Sequence, residues 1–166
     1  MAVAVRDYCR PFLEQAREDL QAARLLYDSR CCPSTLCMLL QMIFEKLAKA
    51  DYCQTALKLP TSRQIASHLF ASRLRGAAGN RLLQPSPNVR QFVMELENAQ
   101  PSIAGKQVPV WAQLEYPWED AASGTVHYPA RDLHLARRVA NPKDRIALDC
   151  LKFASGLEKQ LTAIVP

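Results

Sequence analysis

The feature that most constrains this chain is a strongly apolar stretch that runs from Ser34 to Ala50. Its principal apolar residues recur at steps of three and four, at Leu36, Leu40, Ile43, Leu47 and Ala50. That spacing forms one continuous stripe along an α-helix, and further apolar side chains broaden it: Met38, Leu39, Met42 and Phe44. A helix this apolar needs other helices around it, so the sequence predicts the central helix of a bundle.

The same stretch carries a second, polar line of side chains. Gln41, Glu45 and Lys49 follow one another at intervals of four, and therefore lie along a different face of the predicted helix. Glu45 precedes Lys49, which is the favourable order for an ion pair within a helix.

Periodic apolar residues also predict a long helix before the central one. It extends from about Asp7, a candidate N-cap, to Arg30, with Pro11 in the first turn and a buried stripe made by Leu13, Ala16, Leu20, Ala23 and Tyr27. Cys31-Cys32-Pro33 interrupts the pattern, and the proline suits the first position of a central helix that ends near Leu57. Two long helices joined so closely are expected to pack antiparallel.

Shorter helices are predicted downstream. Thr61 and Gln64 form a capping box for a third helix that ends at Gly76, and a fourth is predicted over Val89–Leu96. Asn141-Pro142 is typical of a helix start, and predicts the last helix from about Pro142.

Between these elements, residues 100–140 lack helical periodicity and contain four prolines and both tryptophans. We predict an irregular insert that acts as a functional loop or a packed lid. The resulting expectation is an all-α protein, an up-and-down bundle of about five helices in a single domain over residues 1–166.

Composition limits the classes of function. Nothing in the sequence is typical of a membrane span or a secretory signal, so a cytoplasmic location is expected. The six cysteines are scattered without a C-x-x-C pair, and His127 and His134 have no evident third ligand, so no metal is predicted. The few glycines form no phosphate-cradling or dinucleotide-binding motif, and no cofactor is predicted.

Charge is distributed unevenly along the chain, whose formal net charge is +5. No acidic residue lies between Asp51 and Glu95, whereas that interval contains six basic ones: Lys58, Arg63, Arg73, Arg75, Arg81 and Arg90. Such a segment either attracts phosphates and nucleic acid or forms a solvated basic face that acids elsewhere balance in space.

The order of these features resembles the HEPN family, helical domains of prokaryotic toxins and of nucleotidyltransferase partners. The resemblance covers roughly Asp7 to Leu161. It rests on Ala16-Arg-Glu-Asp-Leu20 with Ala23, on Glu45-Lys-Leu-Ala-Lys-Ala50, on His68-Leu69, and on Tyr128-Pro-Ala-Arg131. The resemblance implies a helical bundle that is typically a homodimer, with a nucleotidyltransferase or an antitoxin as a possible partner.

Many members of that family are metal-independent ribonucleases that use an arginine followed a few residues later by a histidine. Arg63-Gln-Ile-Ala-Ser-His68 fits this pattern. The resemblance implies that Arg63 holds the scissile phosphate, and that His68 moves a proton while the ribose 2′-hydroxyl attacks. A structural or capping role is the alternative for this pair.

Three functions therefore follow from the sequence. The first is a non-catalytic HEPN-like module that binds nucleotide or RNA phosphate through Arg73, Arg75, Tyr128 and Arg131, with Arg137-Arg138 beside them. The alternative for Arg131 is a loop arginine bound to backbone carbonyls. The second function is a ribonuclease of the toxin–antitoxin or defence type that uses Arg63 and His68. The third is a protein-interaction or dimerisation bundle, to which Leu39 and Met42 contribute apolar surface.

Overall fold

The computed structural model describes residues 5–56, 61, 85–99, 114, 117–120 and 123–164. In this part of the chain most residues are helical, and the predicted all-α helical bundle is confirmed. The elements are α1 (Val5–Ser29), α2 (Pro33–Ala56), α3 (Pro87–Asn98), β1 (Trp118–Asp120), β2 (Thr125–His127), α4 (Pro129–Asp132), α5 (His134–Ala140) and α6 (Ile146–Ile164).

The two longest helices, α1 and α2, begin and end close to the predicted boundaries. An ion pair joins Lys46 to Asp19, so residues at similar distances from the connecting turn meet, as expected for antiparallel packing. Two details at the start of α1 differ from the prediction. The helix already begins at Val5, so Asp7 is not its N-cap, and Pro11 lies inside the helix, where it removes one backbone hydrogen bond.

The core lies where α2 meets the surrounding helices. The predicted stripe on α2 is buried throughout, and Phe44 contacts Phe153 of α6 with the ring centroids 5.9 Å apart. Leu39 is partly buried against this core, and Met42 is also only partly exposed. The buried residues of the other helices include Leu13, Leu20, Phe92, Leu96, Leu135, Leu157 and Leu161.

The polar line on α2 is buried as well. Gln41, Glu45 and Lys49 retain less than a tenth of their exposure, and Lys49 donates a hydrogen bond to Glu45 within an ion pair. The predicted pair is therefore present, but inside the protein. The side-chain nitrogen of Gln41 donates to Glu45 at 3.2 Å.

The third predicted helix lies outside the described residues, apart from Thr61, which is exposed. The fourth is present as α3 and is two residues longer at each end than predicted. Its N-cap is Ser86, whose hydroxyl accepts a hydrogen bond from the backbone N–H of Val89 at 3.3 Å, and Pro87 occupies the first position.

The prediction of an irregular insert over residues 100–140 is wrong for the end of that range. The short antiparallel hairpin β1–β2 pairs Trp118 with His127 and Asp120 with Thr125, and helices α4 and α5 follow it. Gly124 adopts a φ of +65° beside β2, a conformation that suits glycine. Strands of three residues and helices of four and seven are too short to give a periodic signal.

The last helix, α6, begins at Ile146 rather than at Pro142. Asn141 uses its side-chain oxygen to accept a hydrogen bond from the backbone N–H of Lys143 at 3.0 Å, and so stabilises a turn. The equivalent contact at the start of α6 is made by Asp144, which accepts from the backbone N–H of Ile146 at 3.0 Å. The predicted cap is thus one turn too early.

Candidate phosphate-binding surface

The residues predicted to act on phosphate divide into two groups. Arg63, His68, Arg73 and Arg75 lie outside the described residues. Tyr128 and Arg131 lie together where β2 passes into α4, since Tyr128 is the residue before Pro129 and Arg131 is within the four-residue helix. The structure therefore brings together one of the predicted phosphate-binding pairs.

Arg131 and Tyr128 form an exposed stacked pair. The guanidinium carbon of Arg131 lies 5.1 Å from the centre of the Tyr128 ring, and 47% of the tyrosine remains exposed. This distance is within the range of a cation–π interaction. The guanidinium therefore lies over one face of the ring, and about half of the tyrosine remains open to solvent.

The charge of Arg131 is already compensated by its neighbour. Its Nε and Nη2 donate to the two carboxylate oxygens of Asp132 at 2.8 and 2.7 Å, and Nη2 also lies 3.5 Å from the Val126 carbonyl. The hydrogen bond and the charge of Asp132 raise the pKa of the Arg131 guanidinium. The contact with the Val126 carbonyl agrees with the alternative prediction, in which Arg131 is a loop arginine bound to backbone carbonyls. The main partner of Arg131, however, is the carboxylate of Asp132.

Asp132 organises this junction, although it is not among the site residues predicted from the sequence. It accepts a hydrogen bond from the backbone N–H of Tyr128 at 2.9 Å, and the Nδ1 atom of His127 lies 3.5 Å from its Oδ2. The hydrogen bond from Arg131, followed by the backbone N–H of Tyr128, holds the pKa of the Asp132 carboxyl well below its usual range. The sequence signal that could have identified Asp132 is its position three residues after Pro129, in the first turn of a helix, where an acidic side chain is favourable.

Arg137 approaches the same junction from α5. Its Nε lies 3.4 Å from the Arg131 carbonyl and its Nη2 lies 3.4 Å from the Asp132 carbonyl, so it is held against the last carbonyls of α4. The side chain is exposed, and it makes no ion pair with any carboxylate of the described residues. Arg137 thus contributes a positive charge that no described acid neutralises.

Arg138, its neighbour in the sequence, has a different environment. Its guanidinium carbon lies 5.1 Å from the centre of the Phe92 ring, Nε donates to Asp144 at 3.1 Å, and Nη1 lies 3.5 Å from Glu95. These contacts connect α5 to α3 and to the turn before α6. Arg138 therefore has a structural role, whereas the adjacent Arg137 faces solvent.

The two histidines of this region also pair with acids. His134 is exposed, and its Nε2 lies 3.7 Å from Glu95, while His127 faces Asp132. Among the described residues, no group of three or more histidine, cysteine, aspartate or glutamate side chains is arranged to hold a metal ion.

We refer to Tyr128, Arg131 and Arg137 together as the arginine–tyrosine surface. It combines an exposed aromatic face, a stacked guanidinium whose charge is balanced, and a second guanidinium whose charge is not. Aromatic rings of this kind stack on nucleic-acid bases, and guanidinium groups bind phosphate oxygens through paired N–H groups. The surface can therefore contact both parts of a nucleotide.

We compared the chain with protein families, with curated proteins and with solved structures, and none of the three comparisons found a match. Of the helices that the structure describes, none has the length and apolar character needed to cross a membrane.

Proposed function

We propose that this protein is a non-catalytic helical module that binds the phosphates of a nucleotide or of single-stranded RNA through the arginine–tyrosine surface. The observation that carries the proposal is the position of Arg137. Its exposed guanidinium is fixed at two nitrogens by backbone carbonyls, and no carboxylate of the described residues offsets its charge.

The fixed position of Arg137 favours binding for a physical reason. A free surface arginine loses side-chain entropy when it binds an anion, whereas Arg137 is already restrained by Arg131 and Asp132. Nη1 of Arg137 makes no hydrogen bond within the described part of the chain, so its N–H groups are available to a phosphate oxygen.

Tyr128 and Arg131 contribute to the proposed site in another way. Because Asp132 compensates the charge of Arg131, this arginine adds little long-range attraction for a polyanion. Its stacking on Tyr128 keeps the aromatic face in place, and stacking of a base on such a face is worth about 1–3 kcal/mol. The proposed ligand is therefore one with an unstacked base next to a phosphate.

The basic segment between Asp51 and Glu95 supports the same proposal through its composition, because it contains no acid and has six basic residues. We assign Arg73 and Arg75 as further phosphate contacts of the proposed ligand. If both contribute, replacing both by glutamine should reduce the slope of log affinity against log salt by up to about 2.

The direct test measures fluorescence anisotropy of a labelled single-stranded RNA with Arg137→Gln over a series of salt concentrations. The loss of one phosphate contact should weaken binding at low salt and reduce the slope of log affinity against log salt by about 1. The matched control is Arg24→Gln, which removes the same charge from an exposed arginine that contacts Ser155 of α6.

The proposal is rejected if Arg137→Gln and Arg24→Gln change the affinity and the salt slope equally, because general charge alone would then explain binding. Gel analysis of the same RNA addresses the ribonuclease alternative. Cleavage that disappears in both His68→Ala and Arg63→Ala would assign catalysis to those residues and would contradict a non-catalytic module. Absence of RNA and nucleotide binding would favour the interaction-bundle alternative.

A further inference from the structure

The turn between α1 and α2 contains two adjacent cysteines, Cys31 and Cys32, and both are exposed. All six cysteines lie in the described part of the chain, and there these two are the only exposed thiols, since Cys9, Cys37, Cys53 and Cys150 are buried. Any reagent that approaches the folded protein from solvent therefore meets this pair first.

The turn holds the two cysteines in a defined conformation. Arg30 and Cys32 have φ values of +51° and +48°, in the left-handed region that residues with side chains rarely adopt. Backbone hydrogen bonds fix the turn at both ends, from Cys31 N–H to the Leu26 carbonyl at 3.3 Å and from Leu36 N–H to the Cys32 carbonyl at 3.0 Å. Since the flanking helices pack together, the turn is anchored on both sides.

The side chains in this turn contact one another. The Ser29 hydroxyl oxygen lies 2.9 Å from the Cys31 sulfur. A hydrogen bond with the Cys31 thiol, and then repulsion between the two thiols, raises the pKa of Cys32. Because Cys31 and Cys32 are adjacent residues of one turn, a single atom can bridge their two sulfurs.

A cleft opens beside Cys31, the first residue of this pair. It has a volume of about 220 Å³ and lies between the α1–α2 turn and the turn before α6. Cys31 lines it together with apolar side chains such as Leu26, Leu36 and Val139, and with charged ones such as Asp28 and Arg145. The cleft gives space for an organic substituent on an atom that is bound by the two sulfurs.

We propose that Cys31 and Cys32 form a vicinal dithiol site that captures trivalent arsenicals. Trivalent arsenic is thiophilic and forms a pyramidal centre, for which two sulfurs and one further substituent suffice. A tetrahedral zinc site requires four ligands, and the described residues contain no group of three or more histidine, cysteine, aspartate or glutamate side chains that could hold a metal ion.

The reaction balances without an oxidant. With phenylarsine oxide, both S–H bonds and the arsenic–oxygen bond break, and two arsenic–sulfur bonds form. The two thiol protons leave with the oxygen atom as one water molecule. Arsenic remains trivalent and both sulfurs keep their oxidation state. With arsenous acid, two hydroxyl groups leave as two water molecules and one hydroxyl stays on arsenic.

The test treats the reduced full-length protein with phenylarsine oxide and measures the intact mass. We expect one adduct per chain, heavier by one phenylarsenic group less two hydrogen atoms. The adduct should resist an excess of the monothiol glutathione and be removed by the dithiol 2,3-dimercaptopropanol. Cys31→Ser and Cys32→Ser should each lose the glutathione-resistant adduct, and because both positions are exposed, the fold should be retained.

The buried pair Cys9 and Cys53 provides the matched control. Burial, followed by the nearby Cys9 thiol, raises the pKa of Cys53 to about 12, so these two thiols also lie together but away from solvent. Cys53→Ala should keep the adduct. The proposal is overturned if wild-type protein forms no glutathione-resistant adduct, if the adduct persists in Cys31→Ser or Cys32→Ser, or if it disappears in Cys53→Ala.

Discussion

Arg17 of α1 donates two hydrogen bonds to a single carboxylate oxygen of Glu158 on α6, from Nε at 2.9 Å and from Nη2 at 2.6 Å. The same oxygen accepts a third hydrogen bond from the hydroxyl of Thr162 at 3.0 Å. Glu158 is buried, whereas the arginine side chain is about half exposed. This contact joins α1 to α6 through two residues that are 141 positions apart in the sequence.

Glu158→Ala should lower the free energy of unfolding by about 1 kcal/mol, since the charge-assisted hydrogen bonds are partly screened by solvent. A double-mutant cycle with Arg17→Ala in urea should give a coupling energy of about 0.5–1 kcal/mol. Glu14→Ala is the control, because its ion pair with Arg10 is fully at the surface and within one helix. A coupling energy of zero would show that the contact between Arg17 and Glu158 does not stabilise the protein.

Lys49→Met should destabilise the protein by about 3 kcal/mol, because it leaves the carboxylate of Glu45 buried without this cation. Urea denaturation followed by circular dichroism measures the effect. The double variant Glu45→Gln/Lys49→Met should recover much of the loss, since no buried charge then remains at the pair. Lys152→Met replaces an exposed lysine of α6 and should change stability by less than about 0.5 kcal/mol.

Asp132→Asn should destabilise the junction between β2 and α4 at neutral pH. The pKa of Asp132 is lowered in the folded protein, so its contribution is fully present above the unfolded value of about 3.9. As pH falls below that value towards the folded pKa, the contribution is lost. The stability difference between wild type and variant, measured by urea denaturation, should therefore be constant from about pH 5 to pH 8 and shrink in more acidic solution. A difference that grows in acid would be inconsistent with this sign.

The buried thiols should make the protein less stable in alkali. Burial raises the pKa of Cys37 to about 12, so this thiol stays protonated in the folded state, while in the unfolded chain it ionises near pH 8.5 (about the reference value). Stability should consequently fall as pH rises above that value. Cys37→Ala should reduce the slope between roughly pH 8.5 and 10, measured by urea denaturation. An unchanged slope would show that other groups cause the alkaline loss.

The long elements were predictable from the sequence, because α1 and α2 repeat their apolar residues over many turns. The burial of Glu45 and Lys49 was not, because a polar line at helical spacing looks the same whether solvent or protein covers it. The start of α6 was misplaced because Asn141 and Asp144 are both side chains suited to capping, and only the three-dimensional structure shows which of them contacts the helix.

The candidate surface was predictable only in part. Tyr128 and Arg131 could be identified from their sequence context, but the choice between Arg137 and Arg138 depends on contacts that are distant in sequence. Arg138 contacts Phe92 and Glu95 of α3, which lie more than forty residues earlier in the sequence. These contacts compensate the positive charge of Arg138. Since α5 is only seven residues long, its two faces could not be assigned by periodicity.

The three-residue turn between α1 and α2 has a consequence for how the chain folds. The Asp19–Lys46 contact closes a loop of 27 residues, whereas the Arg17–Glu158 contact closes one of 141, which costs about 1.5 kcal/mol more in chain entropy. We expect the α1–α2 pair to form early and α6 to dock late. On the ribosome, the apolar surface of the pair that receives α6 would then stay uncovered until α6 has been synthesised, and a nascent chain stopped before Ile146 should be a substrate for chaperones.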